Sequence, residues 1–129
     1  EENSAAVEDG KRNLVLNGIK NCTFVHGTVG KNLASKKKDA VARLFEESAY
    51  SCMIIDPPRT GLPTECIKKI MDAGSDRIVY ISCNPATLAR DLRKMREHYS
   101  VESVRMVDFF PNTYHIEALT FLRRKASHA

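Results

Sequence analysis

The chain has 129 residues, of which 43% are hydrophobic and 28% charged, as in one globular domain. No apolar run approaches the roughly twenty residues that a membrane-spanning helix needs, and no secretory signal sequence is visible. Twenty basic and sixteen acidic residues give a net charge of +4, which by itself is only weak support for a polyanionic partner such as nucleic acid.

Four cysteines stand at positions 22, 52, 66 and 83, without C-x-x-C spacing or a matching histidine pattern. This spacing indicates neither a zinc site nor a disulfide framework. We therefore expect no metal and a reducing, cytoplasmic setting. Cys22, Cys52 and Cys66 have apolar neighbours and are predicted to be core thiols.

Helical and strand patterns alternate along the first half of the chain. We predict a helix at 4–17 that Gly18 ends, a short strand at 23–25, a helix at 31–48 and a strand at 52–55. Three consecutive lysines at 36–38 are interpreted as a solvated helix face, with an RNA contact as the alternative. The proline-rich stretch 57–61 cannot continue the strand and forms a loop.

The second half continues the alternation and then changes. We predict helices at 64–73 and from 85 to about 96, and strands at 78–81, 101–109 and 114–122. Alternating helices and apolar strands imply a parallel sheet covered on both faces. The last two strands are joined by only a few residues, so they are expected to pair as an antiparallel hairpin.

Two candidate site residues follow parallel strands. Cys83 stands between a strand and a helix that Asn84 caps and Pro85 opens, where backbone N–H groups and the positive helix end favour a thiolate. Asp56 follows the preceding strand, and the ligand site of an open α/β sheet lies beyond those carboxyl ends. The alternatives are an inert buried thiol for Cys83, and for Asp56 a loop cap or a partner of Arg59.

Glu117 is unusual because its neighbours are apolar on both faces of a strand that is predicted to be central. A carboxylate there is unfavourable by several kcal/mol unless it is paired or used. The hairpin should bring Glu117 to a position a few residues below the level of Cys83. Either it forms a salt bridge with His115 or an arginine, or it faces a reactive cysteine.

Three motifs in one order resemble the carboxyl-terminal half of the RNA uracil-C5 methyltransferases, which form 5-methyluridine in tRNA and rRNA. They are DPPRTG from Asp56, SCNPATLARD from Ser82 and DFFPNTYHIE from Asp108 to Glu117. The resemblance implies a Rossmann-like class I methyltransferase sheet, mostly parallel with a terminal antiparallel hairpin. It also implies S-adenosylmethionine as cofactor and tRNA or rRNA as partner.

The resemblance implies a role for each matching residue. Cys83 matches the nucleophile that adds to C6 of uracil, and Glu117 matches the base that removes the C5 proton. The remaining matches are Glu1 at the cofactor ribose, Thr28 beside the adenine, Asp56 in the cofactor and base pocket, Asn84 at the substrate and Arg59 at the RNA backbone. RNA cytosine-C5 methylation and a non-catalytic RNA-binding module with this fold are the rival functions.

The six glycines never form G-x-G, the turn that would hold the methionine end of the cofactor. We therefore expect residues 1–129 to be a partial catalytic domain that is inactive by itself and lacks amino-terminal strands and any RNA-binding domain. The resemblance implies that those strands lie between strands 23–25 and 52–55, so a sheet edge should be exposed. We expect this edge to pair with a second copy, or residues 1–30 to be displaced.

Overall fold

The computed structural model describes residues 1–27 and 50–126, which belong to two compact units, 1–47 and 48–129. In the first unit the described helix is α1 (Ser4–Leu16). The second unit contains, in chain order, β1 (Cys52–Ile55), α2 (Thr64–Ala73), β2 (Arg77–Ser82), α3 (Pro85–Met95), β3 (Tyr99–Val107) and β4 (Glu117–Arg124). The predicted helix 31–48, with its lysine run, lies outside the described residues.

The first unit begins with the predicted helix, and Asn3 caps it. The side chain of Asn3 accepts hydrogen bonds from the backbone N–H groups of Ala5 at 3.0 Å and Ala6 at 3.3 Å. These bonds satisfy two of the donors that a helix start leaves free. Gly18 follows the helix with φ of 63°, a left-handed conformation that ends α1 at little steric cost.

The predicted strand at 23–25 is wrong, since these residues have no strand assignment. Hydrogen bonds join this segment to the chain start. The amino group of Glu1 donates to Val25 O at 3.3 Å, and Gly27 N donates to Glu1 O at 2.9 Å. One residue that bonds both ways resembles a parallel ladder, but the pairing does not extend far enough to make a strand.

The second unit is a four-stranded sheet with strand order β1-β2-β4-β3. β1 and β2 are parallel, and β4 is antiparallel to both of its neighbours, so β1, β2 and β3 all point the same way. Right-handed crossovers through α2 and α3 put both helices on one face, where they contact each other. The predicted hairpin and the central position of the last strand are confirmed.

One face of this sheet is buried against the helices. Ile78, Tyr80 and Leu122 are at most 2% exposed, and Leu88 of α3 packs against Tyr80. On the other face Ile54 is 70% exposed, and no helix within residues 50–126 covers it. The prediction that helices cover both faces of the sheet is therefore confirmed for one face and stays a prediction for the other.

β1 is an edge strand in the described part of the sheet, as expected. Its residues alternate in exposure, and Cys52 and Ile54 lie on the face without a described helix. Cys52 is therefore exposed, and so is Cys22 in the segment after α1, whereas Cys66 is buried. The prediction of core thiols is right for Cys66 and wrong for the other two. In the ranges that the structure describes, no helix could cross a bilayer.

Candidate active site

Cys83 and Glu117 lie at the same level, at the edge of the sheet where β2 ends. The β2–β4 ladder pairs Ser82 with Ala118. Cys83 follows Ser82 and Glu117 precedes Ala118, so the two occupy the next level of that ladder. Both residues are half-buried. The prediction that Glu117 lies a few residues below Cys83 is wrong, and the correction brings the two residues closer together along the strand direction.

The loop before β4 explains the difference, because it holds residues 108–116 out of the ladder. Phe110 N donates to Asp108 Oδ1 at 3.1 Å. The hydroxyl of Thr113 donates to Phe110 O at 2.8 Å and accepts from His115 N at 3.2 Å. These local bonds compete with strand pairing, and β4 consequently begins at Glu117.

The carboxylate of Glu117 has no basic partner among the described residues. The alternative of a salt bridge to His115 or an arginine is therefore not seen there. His115 instead stacks on Tyr114, with ring centroids 4.2 Å apart. The β3 residue that pairs with Glu117 is the apolar Val107. A half-buried carboxylate without a counter-ion can accept a proton from a bound molecule.

A tight turn between β2 and α3 fixes Cys83 from both sides. Asn84 caps α3 by accepting from Ala86 N at 3.0 Å and Thr87 N at 3.5 Å, and a proline occupies the first helical turn, as predicted. The hydroxyl of Ser82 accepts from Asn84 N and donates to Asn84 O, both at 3.1 Å. The Cys83 backbone is thereby held at the amino end of a helix.

The loop after Asp56 is attached to the same helix. Arg59 O accepts from Asn84 Nδ2 at 3.2 Å and from the Thr87 hydroxyl at 3.1 Å. Both ends of the Asn84 amide are thus engaged within the protein, so Asn84 connects the loop to the turn that carries Cys83. The expected contact between Asn84 and substrate stays a prediction.

A buried carboxylate makes a second connection, which we call the Asp91 network. Asp91 is 0% exposed. Its Oδ2 accepts from Tyr80 OH at 2.7 Å and Leu62 N at 2.8 Å, and its Oδ1 accepts from Arg90 Nε at 2.9 Å. Burial is the main cause that raises the pKa of Tyr80, and the hydrogen bond to the Asp91 carboxylate is the second. The phenol therefore remains a donor at neutral pH. A Cβ on Gly61, whose φ is 74°, would lie 2.6 Å from Asp91 Oδ2.

The Asp91 network was not predicted from the sequence. A signal was present, because Asp91 stands on the apolar side of α3, where a charge needs partners to be tolerated. The partners could not be named in advance, since Leu62 is 29 residues away and Tyr80 is 11 residues away.

Asp56 and Arg59 are both exposed at this edge of the sheet. Ile55 of β1 pairs with Tyr80 of β2. Asp56 therefore begins the loop after β1, next to β2, which ends just before Cys83. The Asp56 carboxylate has no hydrogen bond to any described residue, and the alternative pairing with Arg59 is not seen among them. Both side chains are therefore accessible to a ligand.

The remaining predicted residues belong to the first unit. Glu1 is exposed, and the hydrogen bond from Asn3 N to its carboxylate at 2.8 Å lowers the pKa of Glu1. Thr28 lies outside the described residues. Across residues 1–27 and 50–126, no group of three His, Cys, Asp or Glu side chains is placed to hold a metal ion.

Comparison with known proteins decides the family. The family model described as tRNA (Uracil-5-)-methyltransferase matches residues 1–125. The chain belongs to this family. Among curated members, it is 41% identical over 121 residues to an uncharacterized RNA methyltransferase of Caldanaerobacter subterraneus subsp. tengcongensis, covering 92% of this chain and 25% of the relative. It is 38% identical over 125 residues to one of Gloeobacter violaceus, covering 96% of this chain and 25% of the relative.

The family also has a solved structure that matches this fold. The structure of Pyrococcus abyssi tRNA (uracil-54, C5)-methyltransferase, in complex with S-adenosyl-L-homocysteine, matches with a TM-score of 0.73 and 29% identity. The match covers 95% of this chain and 27% of that one. It confirms the predicted α/β methyltransferase sheet, and the predicted resemblance is confirmed with it. The chain spans about a quarter of the length of the curated relatives it matches.

Proposed function

We propose that the protein containing these residues transfers a methyl group from S-adenosylmethionine to C5 of a uridine in tRNA or rRNA, through a covalent adduct with Cys83. The observation that supports this is the shared level of Cys83 and Glu117 across the β2–β4 ladder, in a chain of the uracil-5-methyltransferase family. A thiol and a carboxylate at one level of the sheet edge, the carboxylate without a basic partner among the described residues, suit attack on one ring atom and proton removal from its neighbour.

In this proposal Cys83 acts first. Its thiolate forms a bond to C6 of uracil, and the C5–C6 π electrons move towards O4, which makes C5 a nucleophilic, enolate-like carbon. S-adenosylmethionine, when bound, would supply the electrophilic methyl group: the C5 electron pair forms the C5–CH3 bond, and the electrons of the broken S–CH3 bond would stay on sulfur as S-adenosylhomocysteine. Glu117 then takes the proton from C5, the C5–H electrons restore the C5–C6 double bond, and the Sγ–C6 bond breaks. The Cys83 thiolate is regenerated, and one proton has left the base.

The donor chemistry of the predicted cofactor residues fits S-adenosylmethionine. Glu1 is exposed, and the lowered pKa keeps its carboxylate ionised at neutral pH, which suits acceptance of ribose hydroxyl hydrogens. Asp56 is exposed at the carboxyl end of β1 with no hydrogen bond to a described residue. We propose Glu1, Asp56 and Thr28 as cofactor residues, with Arg59 at the RNA backbone and Asn84 at the substrate.

We further propose that residues 1–129 form part of a cytoplasmic catalytic domain, and that other segments of the longer protein supply the rest of the cofactor site and the RNA-binding surface. The isolated residues are then inactive. β1 is an edge strand among the described residues, and this edge, together with the exposed Ile54, supports self-association of such a piece through strand pairing.

Covalent trapping tests the proposal. The longer protein and residues 1–129 are each incubated with 5-fluorouridine RNA and S-adenosylmethionine, then run on a denaturing gel. Fluorine at C5 cannot leave as a proton, so the Cys83 adduct persists. We expect a shifted band from the longer protein, no band from its Cys83→Ala variant, and no band from residues 1–129. A folded, cofactor-binding protein that gives no band would contradict the proposal.

Methyl-transfer assays of the longer protein with ordinary uridine RNA and with cytidine RNA separate the two rival functions. A cytosine-C5 methyltransferase would transfer methyl groups to cytidine RNA and not to uridine RNA. A non-catalytic RNA-binding module would bind RNA equally well with and without Cys83 and would form no adduct. Transfer to uridine that requires Cys83 excludes both.

A further inference from the structure

The loop between β3 and β4 exposes several large apolar side chains to solvent. Phe109 is 58% exposed, Phe110 54%, Tyr114 82% and Ile116 45%. Scattered exposed apolar residues are ordinary, but a cluster within one short loop marks a binding surface. Because β4 begins directly after the loop, this cluster borders the edge of the sheet that carries Cys83 and Glu117.

The His115 ring contacts two other rings of this loop, those of Phe110 and Tyr114, and we call the three rings the aromatic stack. The Tyr114 and His115 rings lie 4.2 Å apart at 35°, and Phe110 meets the edge of His115 at 6.2 Å and 71°. Exposed tyrosine and phenylalanine rings present π faces to solvent. Such faces bind unstacked nucleobases in single-stranded RNA without requiring a particular base.

The loop is held in shape before any ligand arrives. The Asp108 carboxylate accepts from Phe110 N, and Thr113 bonds to residues on either side of it. Asn112 has φ of 70°, a conformation that fixes the turn. A surface that is ordered in advance loses less conformational entropy on binding, which suits a platform more than a flexible tether.

We propose that the aromatic stack binds a nucleobase adjacent to the target uridine. This inference rests on the proposed function and specifies its substrate as single-stranded RNA around the target. A uridine extruded towards Cys83 leaves its neighbours without a stacking partner. The rings border Glu117 in sequence and lie beside the same edge, so they can replace that partner. Their position next to the candidate site favours RNA over another protein segment.

A double-mutant cycle between protein and RNA tests the inference. The longer protein and its Tyr114→Ala variant are titrated with a short single-stranded RNA that contains the target uridine. The RNA is either intact or abasic at the nucleotide on one side of the target. We expect Tyr114→Ala to weaken binding of intact RNA about 5- to 150-fold, as loss of one base–aromatic contact does. The abasic RNA should lose a similar factor, and combining both changes should add little.

Control variants separate stacking from other effects. Tyr114→Phe keeps the ring and should bind like the unsubstituted protein. Met106→Ala, which truncates a side chain that is 67% exposed on β3, should also leave binding unchanged. Equal losses for intact and abasic RNA would overturn the inference, as would no loss at all. A lower melting temperature without any RNA dependence would also overturn it, because another protein segment would then cover the rings.

Trapping with 5-fluorouridine RNA distinguishes failure of this inference from failure of the proposed function. At saturating RNA, Tyr114→Ala should still form the Cys83 adduct, because the chemistry is untouched. If the cycle shows coupling but no protein forms an adduct, the methylation proposal fails and the stacking surface stands. If adducts form but the cycle shows no coupling, the aromatic stack is excluded as a base-binding surface.

Discussion

Removing the Asp91 carboxylate should destabilise the fold and release the loop that follows Asp56. In Asp91→Ala, the Tyr80 hydroxyl and Leu62 N lose an acceptor in a buried region, each at about 1–3 kcal/mol. The Arg90 side chain is 47% exposed, so its guanidinium can form hydrogen bonds with water instead, with little further loss of stability. The expected decrease in the free energy of unfolding is about 3–5 kcal/mol, as for a broken buried ion pair. Tyr80→Phe removes one donor only and should decrease it by about 1.5–3 kcal/mol.

Urea unfolding, combined with hydrogen exchange at one amide, measures this effect in the longer protein. The Leu62 amide should exchange faster in Asp91→Ala, because its acceptor is gone, and should stay protected in Tyr80→Phe. Asp72→Ala, an exposed acid on α2, is the matched control and should change stability by less than about 0.5 kcal/mol. If Asp91→Ala behaves like Asp72→Ala, or if Leu62 remains protected without Asp91, the network does not hold the loop.

Three further predictions concern single groups. Gly61→Ala should lower the free energy of unfolding, measured in urea, by at least about 2 kcal/mol, because the position combines a positive φ with a buried neighbour. Gly74→Ala has a similar φ but lies beside the movable end of Arg124, so it should lower the free energy of unfolding by only about 1 kcal/mol. Burial raises the pKa of Tyr80 and Tyr99, so their contribution to stability is complete below pH 10, about the pKa of an unfolded tyrosine, and is lost above it. Above pH 9 the free energy of unfolding should therefore fall as the pH rises. Tyr80→Phe should make this fall less steep between pH 9 and 11, by up to about 1.4 kcal/mol per pH unit, and an unchanged slope would contradict the raised pKa. Glu117→Gln should reduce turnover about 100-fold or more, yet still form an adduct with ordinary uridine RNA on a denaturing gel; no adduct would assign Glu117 an earlier role.

The local features of this fold could be predicted from sequence because each had a local cause. The bounds of α2 follow from an apolar stripe and from Gly74, whose φ is 63°, and the cap of α3 follows from Asn84 and the proline after it. The antiparallel hairpin follows from the short connection between the last two strands. The family motifs indicated the fold class and the candidate residues at the sheet edge.

What could not be predicted depends on contacts between distant residues or on competition within a loop. The Asp91 network joins residues 29 positions apart, and no periodicity specifies that pairing. The late start of β4 depends on the Thr113 hydroxyl, which bonds to the loop instead of leaving the backbone to pair. Cys52 is apolar in context but begins an edge strand, so its neighbours in sequence did not bury it.

The antiparallel direction of β4 has a consequence for how the chain can vary. Six residue pairs between β2 and β4 fix the level of Glu117 relative to Cys83, while the nine residues of the loop before it, 108–116, determine where β4 begins. A one-residue slip in that ladder would turn Glu117 to the opposite face. A change in the loop that leaves this ladder intact keeps both residues at the same level. The surface that we propose for RNA binding can therefore diverge between related proteins while the proposed catalytic pair, Cys83 and Glu117, stays in place.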